Sequence, residues 1–151
     1  MSEVKLTWYG PLDMSKDVPY HYQSDSVGAG VYIVLYGTDG SDVVYAGLSK
    51  SGAAHEARWN RGLYSRRRDA RGLKWDVSKS VYYIANISPF EHLKQTETTI
   101  ISFLYCGRKG VGAHGHQMVN NKQLYFAGDS VKIINEGDIP PCLPHELSYP
   151  F

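Results

Sequence analysis

The stretch Gly30-Val31-Tyr32-Ile33-Val34-Leu35-Tyr36, then Gly37-Thr38-Asp39-Gly40-Ser41, then Asp42-Val43-Val44-Tyr45-Ala46-Gly47 decides how this chain is read. The outer segments are β-branched, aromatic and apolar, the composition of strands. The Gly/Asp cluster between them is the kind that reverses a chain. The stretch therefore predicts a β-hairpin with a tyrosine-glycine string on each arm. Taken singly, Tyr32 or Tyr45 would be read as a cross-strand packing residue, so the elements after the hairpin weigh on its meaning.

Ser80-Val81-Tyr82-Tyr83-Ile84-Ala85-Asn86-Ile87 has the same composition and predicts a third strand. Ser88, Pro89 and Glu91 then form a helix-start signature, with Ser88 as N-cap, Pro89 at the first helical position and Glu91 closing a capping box. The helix is expected to reach Tyr105 or Cys106 and stop at Gly107. Its apolar stripe reads Phe90, Leu93, Ile100, Ile101 and Leu104, and helical spacing puts Glu97 on that stripe. A carboxylate there is costly unless paired, hydrogen-bonded or bound to metal.

Between the hairpin and the third strand, Ala53 to Trp59 holds good helix formers, and Ser65 to Gly72 is arginine-rich. Net charge is only +1, but residues 50–79 carry nine Lys/Arg against three acids, whereas residues 1–42 and 129–151 are acidic. A basic block in a near-neutral chain points to a polyanion as partner. Elsewhere, Leu6 to Tyr9 predicts a short strand before Pro11 and Pro19, and Gln123 to Phe126 and Val131 to Ile134 predict two more. The tail after Asp138 reads as proline-broken and extended. His114-Gly115-His116 lacks a third ligand at fixed spacing and makes a weak metal motif.

At 151 residues the chain suits a single domain. No apolar run approaches the ~20 residues of a membrane span, and no signal peptide is evident. Cys106 and Cys142 are too few for a disulfide framework. A cytoplasmic protein with reduced thiols is the expectation.

Gly30-Val31-Tyr32 followed by Tyr45-Ala46-Gly47, then Lys50, Arg58 before Trp59, Glu97 on the later helix and Asn120-Asn121 resembles the GIY-YIG nuclease family over roughly residues 28–121. The resemblance implies an α+β fold: a small three-stranded antiparallel sheet flanked by helices, here with an N-terminal arm (1–27) and a C-terminal extension (122–151). It implies a metal-dependent endonuclease on double-stranded DNA, most similar to small type II restriction enzymes. An RNA-cleaving or non-specific nuclease toxin, or a non-catalytic nucleic-acid-binding module, is the alternative.

In that reading Tyr32 and Tyr45 contact the attacking water and phosphate, Lys50 and Arg58 supply positive charge, and Glu97 holds Mg²⁺, with Mn²⁺ as substitute. A guanidinium grips phosphate oxygens in two places, and Mg²⁺ needs few carboxylates beside water and phosphate. Arg61 is a rival for the role of Arg58. Arg61, Tyr64, Arg66, Arg67, Arg68, Arg71 and Asn121 are the expected nucleic-acid contacts, with arginine runs suited to backbone phosphates. Ala46 stands where the family has Ile or Val, and Gly62 follows Arg58 by one turn where restriction members carry His or Tyr. One site per chain implies a homodimer for cutting both strands, with the aromatic arm and the proline-rich tail as the expected interface.

Overall fold

The computed structural model describes residues 2–16, 30–36, 42–49, 76, 79–87, 92–106 and 131–148. Its strands are β1 (Glu3–Asp13), β2 (Gly30–Tyr36), β3 (Asp42–Ser49), β4 (Ser80–Asn86), β5 (Lys132–Gly137) and β6 (Glu146–Leu147). One helix, α1 (Leu93–Cys106), lies among the described residues. The strands form a single sheet in the order β3-β2-β4-β1-β5-β6. Neighbours pair antiparallel except β1 and β5, which run parallel.

This corrects the fold expected from the sequence. A three-stranded antiparallel sheet flanked by helices is replaced by a six-stranded mixed sheet with one helix. The physical reason lies in the two ends of the chain. The segment read as an arm is an eleven-residue strand, and it stands inside the sheet between β4 and β5. The segment read as an extension supplies β5 and β6.

Pro11, which reads as a strand breaker, is accommodated by a bulge. Tyr9 pairs with Ile84 and Leu12 with Tyr82, so the β1 side carries one residue more than the β4 side between these pairs. Bulges are where a strand admits proline. Gly10 occupies the same bulge, and a Cβ there would sit 2.7 Å from Cδ2 of Tyr83.

The core lies on one face of the sheet. Val4, Leu6 and Trp8 of β1 join Val31, Ile33 and Leu35 of β2, Ala46 of β3, Tyr83 and Ala85 of β4, and Ile133 of β5. α1 packs onto this cluster through Leu93, Ile100, Ile101 and Leu104, lying closest to β3 and β2.

The C-terminal strands are fastened to β1 by a buried polar relay. The Trp8 indole N–H donates to Oδ1 of Asn135 at 2.8 Å, and the Asn135 amide donates to the Pro144 carbonyl at 2.7 Å. Asn135 is fully buried, so a satisfied network is what its position requires. Gly137 turns the chain at φ +77°, where a Cβ would meet the Trp8 carbonyl oxygen at 2.7 Å. Trp8 and the tail, expected as parts of a dimer interface, are thus engaged inside the molecule.

Candidate functional site

Strand alternation sends Val31, Ile33 and Leu35 to the face that carries α1, and Tyr32 and Val34 to the other. In the antiparallel register Tyr32 lies opposite Gly47, and Val34 opposite Tyr45. Tyr32 and Tyr45 are therefore diagonal neighbours on the face away from the core cluster. Their rings stack with centroids 5.9 Å apart and planes 20° from parallel. That is the offset arrangement aromatic quadrupoles favour.

Gly47 makes the stack fit. A Cβ built there would lie 2.5 Å from both Cζ and the hydroxyl oxygen of Tyr32, and 2.9 Å from Cε1 of Tyr45. The hydroxyl end of Tyr32 thus rests over bare backbone, and no other residue type leaves that space. The two tyrosine-glycine strings are one packing unit. Tyr32 is 1% exposed and Tyr45 is half-buried. On the far side of Tyr32 the register puts Ile84 opposite it.

Glu97 sits on α1. With Leu93, Ile100, Ile101 and Leu104 it completes one stripe of the helix, and it is buried to 7% exposure. Its carboxylate accepts a hydrogen bond from Nζ of Lys94 at 3.0 Å. The neighbouring hydroxyls of Thr96, Thr98 and Thr99 donate to the carbonyls of His92, Lys94 and Gln95, four residues back. Those bonds keep the threonines satisfied inside their own helix and leave the carboxylate to Lys94. Among the described residues, Glu97 is bonded to Lys94 and to neither tyrosine.

The structure brings Tyr32 and Tyr45 together and places Glu97 on the helix packed against the opposite face. Lys50, Arg58, Arg61, Tyr64, Arg66, Arg67, Arg68, Arg71 and Asn121 lie outside the described residues. So do His55, His114, His116 and Asn120, as well as the capping residues Ser88 and Glu91. Two residues that matter to the geometry are absent from the sequence-derived set. Gly47 belongs to the motif itself but acts as the floor of the ring stack. Lys94 is visible as a cation one helical turn before Glu97.

No group of three or more His, Cys, Asp or Glu that could hold a metal ion occurs among the described residues. Glu97 nevertheless fits the role of a single hard-oxygen ligand. It is a buried carboxylate on an otherwise apolar stripe, and its partner Lys94 is 62% exposed and able to swing away. Magnesium is commonly held by one or two carboxylates with water and phosphate completing its shell. No helix among the described residues is long and apolar enough to cross a membrane. Comparison with family models, curated proteins and solved structures gave no match.

Proposed function

We propose that this chain is a nucleic-acid phosphodiesterase, an endonuclease whose substrate is double-stranded DNA. The observation that carries the reading is the Tyr32–Tyr45 stack seated on Gly47, the unit in which the chain resembles GIY-YIG nucleases. Two phenols side by side can orient a water and hydrogen-bond a phosphate oxygen. The strongly basic segment 50–79, which follows β3 directly in sequence, adds the charge a polyanion needs.

In this reading Tyr32 positions the attacking water and Tyr45 contacts the scissile phosphate. Arg58 grips its non-bridging oxygens, with Lys50 beside it and Arg66, Arg67 and Arg68 along the flanking backbone. Glu97 would hold Mg²⁺, whose chemistry is to neutralise charge on the phosphate and make water more acidic. Two copies of the chain would cut the two strands.

A second reading is favoured by a specific observation: Tyr32 and Glu97 are both nearly inaccessible, at 1% and 7% exposure. A non-catalytic nucleic-acid-binding module could bury both residues permanently.

Supercoiled plasmid and tRNA incubated with Mg²⁺ separate the readings. Wild type should cleave plasmid, and Tyr32→Phe should lose about 10²–10⁴-fold in rate, the usual worth of a positioned acid–base group. Circular dichroism checks that the variant is folded. Cleavage of tRNA alone shifts the substrate to RNA. Binding of either nucleic acid with no cleavage hands the case to the binding module.

A further inference from the structure

The pairing of Glu97 raises a question that the nuclease reading leaves unanswered: why a mostly exposed lysine closes a buried carboxylate. A leucine at position 97 would continue the stripe of Leu93, Ile100, Ile101 and Leu104 without any partner. Glutamate instead requires a counter-charge in a site only 9% exposed at its side chain. The counter-charge comes from the nearest flexible cation, Lys94, whose side chain is 62% exposed.

The order of the pair also matters. Lysine precedes glutamate along α1, with a spacing of three residues, and this orientation is the weaker one for helical ion pairs. A compact ammonium on a four-carbon stem leaves such a pair readily for water. The carboxylate cannot follow it, because the apolar stripe holds it inside.

We propose that Lys94 is a resting counter-ion for Glu97, which occupies the carboxylate until a divalent cation replaces it. This rests on the nuclease reading and deepens it by assigning a gatekeeper to the same site. The exchange makes and breaks no covalent bond. Lys94 releases one carboxylate oxygen and swings into solvent, and the divalent ion takes over that oxygen. The site is thereby kept electrically satisfied when empty, and its cation affinity is set by competition with a tethered ammonium.

Manganese binding to the full chain, followed by the electron paramagnetic resonance of free Mn²⁺, tests this on wild type, Lys94→Met, Lys94→Gln and Glu97→Gln. Thermal unfolding without metal and at saturating Mg²⁺ is recorded alongside. Lys94→Met should bind Mn²⁺ about fivefold more tightly than wild type, the factor expected when a weak, half-solvated competitor is removed. It should melt lower than wild type without metal and recover when Mg²⁺ is added. Glu97→Gln should lose the site.

Lys94→Gln guards against a packing artefact of the methionine. If binding depends on Glu97 but is unchanged or weakened in both Lys94 variants, the gatekeeper role is overturned while the metal site of the nuclease reading stands. If no variant binds Mn²⁺, the gatekeeper role falls as well. Plasmid cleavage by wild type and Tyr32→Phe then judges the nuclease reading separately.

Discussion

β2 and β1 are both interior strands of one sheet, yet they are buried differently. Every residue of β2 from Gly30 to Leu35 is buried, so both of its faces are covered. In β1 burial alternates: Val4, Leu6 and Trp8 are inside, while Glu3, Lys5, Thr7 and Tyr9 are exposed. The sequences match, since the first is a continuous apolar run and the second alternates apolar with polar. Continuous runs mark strands covered on both sides, and alternation marks one wet face. The sheet thus has a doubly covered half, β3-β2-β4, and a half with one solvated face, β1-β5-β6. The tyrosine pair belongs to the first. The second is a scaffold, tied to the first along β4 and β1 and finished by ion pairs such as Lys5–Glu136 at 3.9 Å and Lys132–Glu146 at 3.8 Å.

The sharpest way to break this comparison is at the scaffold's inner face. Trp8→Ala should remove about 3–5 kcal/mol of stability, the range for deleting a large buried aromatic. It also strips the Asn135 amide oxygen of its indole donor in a dry environment. On the solvated face of the same strand, Lys5→Ala should change stability by less than about 1 kcal/mol, because an exposed pair contributes little. Urea denaturation of both variants measures the contrast. Equal losses would show that β1 is not one-sided.

In the doubly covered half the corresponding test adds an atom rather than removing several. Gly47→Ala places a methyl group where the Tyr32 hydroxyl and ring carbon would be only 2.5 Å away. Both rings must shift, and the expected loss is about 1–3 kcal/mol. Near-ultraviolet circular dichroism should change with it, because the ring stack is disturbed. A variant as stable as wild type with an unchanged aromatic spectrum would mean that Gly47 does not support the pair.

These two halves were not equally legible in the sequence. The hairpin of β2 and β3 and the strand β4 follow from apolar runs and the Gly/Asp cluster at 37–41. Glu97 follows from helical periodicity, because a single charge interrupts a stripe whose other members are apolar. The position of β1 does not follow from local pattern. Its alternation of Val4, Leu6 and Trp8 is a strand signal, but Pro11 argues for a short one until the bulge opposite Tyr82 and Ile84 is seen.

The parallel pairing of Glu3 with Lys132 links the two ends of the chain, and no local preference specifies a partner that far away. The ring stack was half visible. The motif singles out Tyr32, Tyr45 and Gly47, but only the register shows the glycine lying beneath the first tyrosine.

The smallest effect expected lies at the seam between the halves. Tyr83 faces the core from β4, against Gly10 in the bulge of β1, and the C-terminal tail brings Asp138 and Cys142 toward it. Burial, reinforced by the negative charge of Asp138 and by Cys142, raises its phenol above the ordinary value of 10.0. The folded protein therefore holds this proton more tightly than the unfolded chain does. Its contribution is fully present below pH 10.0 and is lost as pH rises from there through the folded-state value. Tyr83→Phe cannot ionise, so its stability should fall less steeply than that of wild type across the same alkaline range. Urea midpoints compared on both sides of that range isolate the effect from the other tyrosines, which both proteins share. Parallel curves would mean that the hydroxyl of Tyr83 is as well solvated as in the unfolded chain, and that the tail does not close over the seam.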